Sequence, residues 1–445
     1  VRFSELEGAR IGVWGAGREI ASLASQLARR LPSARIAVAA FDAPPRGDVS
    51  AQLESPGLRI ALGAQRLEAL GACDVVVRSP GVSIHRPELI ALRERGLPVT
   101  TATSLWLAEH GPEGVIGVTG TKGKSTTAAL AHHLALAAGR PSRLAGNIGV
   151  PALDLLDAGP GGPTILELSS YQIADLAAGP EVVVFTNLYP EHADWHGSAE
   201  AYRAEKLRIL SLGGLRAAVL PARQAELAGA PTAASRILFG TPAGWDAAAE
   251  GVSLRGELRV GTEELPLRGL HNALNLCAAL SGLEAVGVEL PDLPEALAGF
   301  TGLEHRLQTV AERDGVSWVD DSISTTPEST LAALESFAGR AIVLLAGGQD
   351  RGQDYGELAR RLASIGALVI GLPSTGPRLL ESLRAAGAPP THALAAGDLA
   401  DGVRLARERA AAGAVVLLSP AAPSYDNYRD FTERGERFRA LVASP

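Results

Sequence analysis

One stretch constrains this chain more than any other: VIGVTGTKGKSTTAALAHHLALAA, residues 115–138. It predicts a buried strand, a turn carrying Gly120 and Gly123, and a helix opening at Ser125 and Thr126. Glycines let the backbone turn tightly, and unpaired amides at a helix N-terminus attract an anion together with the helix dipole. Lys124 adds a point charge for outer phosphates, and Ser125 offers a hydroxyl to a magnesium ion. The spacing is shorter than the eight-residue phosphate loop, which needs a glycine where Val118 stands. Gly120, Thr121, Lys122, Gly123, Lys124, Ser125 and Thr126 are therefore the expected nucleotide-binding set. A ligand-free glycine turn would leave the crowded GTKGKSTT unexplained.

At 445 residues the chain suggests about three domains. With 46% apolar and 20% charged residues it can build large cores. A net charge of −8 without a basic run argues against nucleic acid or an anionic membrane as partner. Cys73 and Cys277 lie far apart in apolar surroundings, which reads as a reducing compartment without a disulfide framework. The opening VRFSELEGAR carries no apolar leader, and no run has the length of a membrane helix, so the expectation is a cytoplasmic protein.

Along the chain, RIGVW (10–14) predicts a strand, Gly15-Ala16-Gly17 a turn, and Ile20, Leu23 and Leu27 one helical face. A second strand, 34–41, ends at Asp42, where an acidic residue meets a ribose in dinucleotide-type folds. The third glycine of that fingerprint falls at Ile20, which disfavours NAD and leaves another nucleotide. The strand 74–79 runs into Pro80-Gly81, either a ligand-binding strand end or a plain turn. GPEG at 111–114 reads as a linker and FTGL at 300–303 as a second boundary, giving 1–111, 112–302 and 303–445. In the middle portion Glu167 lies near a strand end, His192 follows the strand 181–187, and Lys206 lies in the helix 199–210. Each has a plainer alternative: a surface carboxylate, a solvated histidine, an exposed lysine. The apolar neighbours of Glu167 favour a magnesium-side role. Residues 240–268 predict short polar strands and turns, and a long helix follows Gly269. The last third alternates strands and helices, which implies a parallel sheet with Asp321, Gly347-Gly348 and Ser419 to Ser424 on one rim.

GVTGTKGKST, GNIGVP, LELSSYQI, TNLYPEHADWH, YRAEKLRIL, GLHNALN, FTGLEHRLQ, WVDDS, LLAGGQD and LLSPAAPSYDNY follow one another in this chain. In that order they resemble the Mur ligase family, in its branch that adds glutamate to UDP-N-acetylmuramoyl-L-alanine. The resemblance implies an α/β protein of three domains. These are a Rossmann-like UDP-substrate domain (1–111), a central ATPase domain with a parallel sheet plus a small β-sheet (112–302), and a Rossmann-like amino-acid domain (303–445). It implies a monomer that uses ATP and two magnesium ions to activate a carboxylate as an acyl phosphate, which an amine then attacks. Lys124 and the loop amides would hold phosphates; Ser125, Glu167, His192 and Lys206 would ligate metal, with Lys206 carbamylated. Asn272, Arg306 and Asp321 would meet ATP. UDP would lie against Gly15, Ala16, Gly17, Arg18, Asp42, Ser79, Pro80 and Gly81. Asn147 would face substrate or the γ-phosphate, Ser169 the substrate, and Thr325, Arg351, Ser424 and Tyr425 the incoming glutamate.

Two departures fall in the glutamate pocket. Ile323 replaces the lysine of the family's DSKATN, and Gln349-Asp350-Arg351 follows Gly347-Gly348 where GGxxK is usual. Arg351 would clamp a carboxylate bidentately instead of as a point charge. Because both changes occur together, L-glutamate is favoured over D-glutamate. The alternatives are the D-glutamate-adding reaction and, more distantly, a folylpolyglutamate-type ligase, a nicotinamide-dependent dehydrogenase or a non-catalytic nucleotide sensor.

Overall fold

The computed structural model describes all residues except 16, 43, 45–52, 54, 56, 160, 190–197, 268, 291, 301, 351–352 and 445, and except the side chains of 199, 328 and 332. It divides into two compact units, Val1–Phe300 and Thr301–Pro445.

The first unit begins with five strands: β1 (Arg10–Trp14), β2 (Arg35–Phe41), β3 (Arg59–Leu62), β4 (Val75–Arg78) and β5 (Val99–Thr100). They pair in parallel in the order β3-β2-β1-β4-β5. The runs RIGVW and VVVR are almost wholly buried, as strands covered on both faces must be. Ile20, Leu23 and Leu27 of the helix Arg18–Arg30 are buried as the spacing predicts. The chain leaves β1 for β2 on one side and reaches β4 on the other, so β1 and β4 flank a topological switch point.

The middle portion repeats this plan. Strands β6 (Val115–Thr119), β7 (Arg143–Gly146), β8 (Thr164–Glu167), β9 (Val182–Phe185), β10 (Ala217–Pro221) and β11 (Ser235–Phe239) lie in the order β11-β10-β9-β6-β8-β7, all parallel. Here β6 sits at the switch point, between β8 and β9. The polar stretch near 240–268 is a small antiparallel sheet of β12 (Trp245–Ala248), β13 (Gly251–Leu254) and β14 (Glu257–Gly261). Portions 1–111 and 112–302 carry separate sheets but share one core. Leu23, Leu105 and Trp106 belong to the same buried cluster as Leu153, Leu166 and Ile173. Each such side chain contributes about 1.5–3 kcal/mol by leaving water, which ties the two portions into one unit.

The second unit holds β15 (Gln308–Arg313), β16 (Val316–Asp320), β17 (Ile342–Gly348), β18 (Leu368–Ser374), β19 (Ala393–Ala395) and β20 (Val415–Leu418), in the order β15-β16-β20-β17-β18-β19. The expected all-parallel sheet needs one correction. The edge strand β15 runs antiparallel to β16, because the turn at Asp314-Gly315 joins them directly and leaves no room for a crossover helix.

Candidate active site

In the first unit, the turns after β1 and β4 meet. Gly15 has φ +94°, and a Cβ there would lie 2.6 Å from Ser79 Oγ, so only glycine fits. Ser79 Oγ is buried and has no hydrogen-bond partner among the described residues, an orphan that suits a ligand at the switch point. Gly17 and Gly81 are exposed beside it, with Pro80 half-buried. Ala16 lies outside the described residues. Arg18 donates to the carbonyls of Gly146, Asn147 and Gly149 at 2.9–3.1 Å, so it binds the first portion to the second. Asp42 pairs with Arg66 (2.8 Å) and Arg86 (2.6 Å), whose guanidinium groups lie over the Trp14 ring. A carboxylate has lone pairs to spare for a ribose hydroxyl, but the arginines are its partners here.

At the second switch point the phosphate loop links β6 to the helix Lys124–Ala137, with Gly123 in the left-handed conformation as its N-cap. Gly120 has φ +142°, and a Cβ there would fall 1.9 Å from Thr186 Oγ1. The end of β9 shapes the loop. Thr121 N donates to Asn187 O (2.9 Å), Lys122 N donates to Asn187 Oδ1 (2.8 Å), and Thr186 Oγ1 donates to Lys122 O (2.6 Å). Lys124 Nζ closes on Thr121 O at 2.8 Å. Ser125 is buried and Thr126 half-buried at the helix start.

Glu167 ends β8 and is fully buried. Asn147 Nδ2 donates to its Oε1 at 2.7 Å, while Oε2 has no hydrogen-bond partner among the described residues. A buried carboxylate oxygen without a donor is costly unless a cation meets it. A carboxylate oxygen is a hard donor and fits magnesium, as does the Ser125 hydroxyl at the start of the loop's helix. Among the described residues no three His, Cys, Asp or Glu side chains gather as a metal cluster. His192 lies outside them. Lys206 is 2% exposed; its Nζ is 3.5 Å from Thr119 Oγ1 and 5.2 Å above the Tyr202 ring. The plain reading of Lys206 as a surface lysine is therefore overturned, because the helix Ala199–Leu207 turns this residue inward. Ser169 caps the short helix Ser170–Ile173, its Oγ donating to Gln172 Oε1 at 2.9 Å.

Beside the loop lies a cavity of about 160 Å³, lined among others by Lys122, Asn187, Phe239, His271 and Asn275. Asn272 sits in the first turn of the adjoining helix Leu270–Ala285 and accepts from Asn275 Nδ2 at 3.4 Å. Sequence reasoning missed Asn187 and Asn275. The position of Asn187, two residues beyond a buried apolar strand, was the available signal.

In the second unit the expected rim assembles. Ser419 Oγ donates to Asp321 Oδ2 at 2.7 Å, and Gly347 N donates to Pro420 O at 2.9 Å. Burial pushes the Asp321 carboxyl up to about 6, against the opposing hydrogen bonds of Ser324 and Ser419 and the charge of Arg306. Arg306 is exposed; Thr325 is half-buried, Ser424 buried and Tyr425 exposed. Arg351 lies outside the described residues. Two unforeseen groups frame this rim. His305 Nδ1 hydrogen-bonds Asp320 Oδ2 at 2.7 Å, and buried Arg434 donates to Ser322 and to Ala422 O.

Residues 118–282 match the Mur ligase middle domain, and residues 305–422 match the Mur ligase glutamate ligase domain. The chain is 41% identical over 456 residues to a UDP-N-acetylmuramoyl-L-alanine--L-glutamate ligase of Salinispora tropica, with 99% of each chain covered. It is likewise 41% identical over 458 residues to the protein so named in Xanthomonas axonopodis pv. citri, covering 99% of this chain and 97% of that one. A solved MurF ligase of Thermotoga maritima in complex with ADP shares the fold, with a TM-score of 0.57 at 18% identity over 99% of this chain and 96% of the other. Full-length similarity at this level, joined to the two matched domains, means that the chain belongs to the Mur ligase family of ATP-dependent ligases.

Proposed function

We propose that this ligase joins glutamate, as the L enantiomer, to UDP-N-acetylmuramoyl-L-alanine through an acyl phosphate. The reaction class rests on one observation above all: Glu167 presents an unpartnered buried oxygen on the strand next to the one that ends in the phosphate loop. The substrate assignment is supported by full-length likeness to proteins carrying that name. The Ser79 orphan hydroxyl beside a glycine turn supports a nucleotide-linked substrate in 1–111. The same portion disfavours a folylpolyglutamate-type reading, which has no use for a UDP site.

A carboxylate resists amide formation because oxide is a poor leaving group. Phosphorylation by ATP replaces it with phosphate, and the work of the protein is then positioning and charge neutralisation. In this reading the loop amides and Lys124 hold the β- and γ-phosphates. Ser125, Glu167, His192 and a carbamylated Lys206 would hold magnesium at two sites, and the ions would supply charge neutralisation for phosphoryl transfer. Asn147 holds Glu167 Oε1, which leaves Oε2 available for a cation. The cavity lined by Asn187, His271 and Asn275, with Asn272 in its helix, takes the adenine. Arg306 and Asp321 contact ATP, while Thr325, Arg351, Ser424 and Tyr425 receive glutamate. The L form is supported by the names of the two relatives and by the paired change at Ile323 and Arg351.

Hydroxylamine tests the intermediate. Enzyme with ATP, magnesium and UDP-N-acetylmuramoyl-L-alanine, given hydroxylamine in place of glutamate, should form a hydroxamate with release of ADP. Absence of hydroxamate under conditions where glutamate is ligated would exclude a free-standing acyl phosphate.

A further inference from the structure

We propose that Arg78 is a positioning residue that holds the two ends of one substrate in register: the nucleotide end at the Ser79–Gly81 turn and the carboxylate end at Ser169. This rests on the assignment of UDP-N-acetylmuramoyl-L-alanine as substrate.

Arg78 is the last residue of β4 and is wholly buried. A guanidinium taken out of water needs its donors matched, and their fixed fork dictates where the acceptors lie. Its Nη1 donates to Pro80 O (2.9 Å), Val82 O (2.8 Å) and Ser79 O (3.3 Å), so the turn is drawn around one nitrogen. Its Nη2 donates to Tyr171 O (2.7 Å), two residues beyond Ser169. Its Nε pairs with Asp175, which is also buried and also takes Arg93.

The segment around Ser169 is tied to the nucleotide-binding portion at further points. Ser104 Oγ donates to Asp175 O at 3.0 Å. Gln172 Oε1 accepts from both Ser169 N and Ser169 Oγ, and its Nε2 donates to Glu19 Oε1 (2.7 Å) and Thr103 Oγ1 (3.2 Å). Glu19, Arg78, Arg93, Thr103 and Ser104 thus set the place of a segment that follows β8 in the middle sheet. A buried ion pair adds little stability over an apolar replacement, so what this one supplies is geometry. Lysine has the charge but not the planar fork, and could not hold the turn and Tyr171 O together.

Hydrogen exchange on the wild-type protein with UDP alone is the first test. UDP should protect the amides at Gly17–Glu19 and Ser79–Val82, and also those at Ser169–Asp175. Protection of the first two segments without the third would overturn the coupling. No protection anywhere would instead overturn the nucleotide assignment beneath it.

Arg78→Lys is the second. The KM for UDP-N-acetylmuramoyl-L-alanine should rise roughly tenfold and kcat fall roughly tenfold, with the KM for ATP within about twofold of wild type. Arg78→Met combined with Asp175→Asn, which removes both buried charges, should show the same split. Variants that lose only thermal stability and keep both kinetic constants would reduce Arg78 to a scaffold residue and refute the proposal.

Discussion

Lys206 and Asp321 are both buried, although their side-chain types are ordinarily exposed. Lys206 is 2% exposed beside Thr119 and Tyr202, and in the proposed reading its carbamate would supply oxygens to a metal. Lys206→Ala should lower ligation at least ~100-fold, and added formate or acetate should restore part of it by filling the lost ligand position. Steady-state ADP release checks this, and full activity of the variant would refute the carbamate. Asp321 yields a stability prediction. Its carboxyl is raised from 3.8 to about 6, so the folded state keeps its proton over a range where the unfolded chain releases it. Stability from this group is greatest below its unfolded value and is lost as pH rises through about 6. Between about pH 5 and about pH 7.5, urea unfolding of the ligand-free protein should lose about 1 kcal/mol that the Asp321→Asn variant does not lose. An identical pH slope in both proteins would contradict the raised value.

The phosphate loop is the element whose geometry tolerates least. Gly120→Ala puts a methyl where Thr186 Oγ1 and the Asn187 backbone already lie, at a positive φ that disfavours any side chain. It should destabilise the first unit by about 1–3 kcal/mol and abolish ATP binding, as read by thermal unfolding and nucleotide titration. Wild-type nucleotide affinity in that variant would mean the loop is not the phosphate cradle. This element was legible because its strand, turn and helix are contiguous, and their chemistry is written in adjacent letters. The seam through Glu19, Arg78, Gln172 and Asp175 was not, since those residues are far apart in sequence and only the topology gathers them. Arg78 closing the apolar run VVVR was the one local hint. Strand β15 went unread because QTVAER is a half-exposed edge with no apolar alternation strong enough to mark it.

At the scale of the whole molecule, alternation of apolar strands and helices foretold three sheets of doubly wound character, and the small antiparallel sheet fell where polar strands were expected. The sequence did not foretell that the first two portions share one core, because membership of Trp106, Leu153 and Leu166 in one buried cluster leaves no periodic mark. No helix among the described residues is long and apolar enough to cross a membrane. In the proposed reading, the two switch points of the first unit and the rim of the second would each serve one part of the ligation. The most direct test offers purified protein ATP, magnesium, bicarbonate and UDP-N-acetylmuramoyl-L-alanine with each glutamate enantiomer in turn, and measures ADP release with product mass. ADP and a glutamyl adduct should appear with L-glutamate and far more slowly with D-glutamate. Faster turnover of the D form would reverse the stereochemical assignment, and no ADP with either would contradict the ligase account itself.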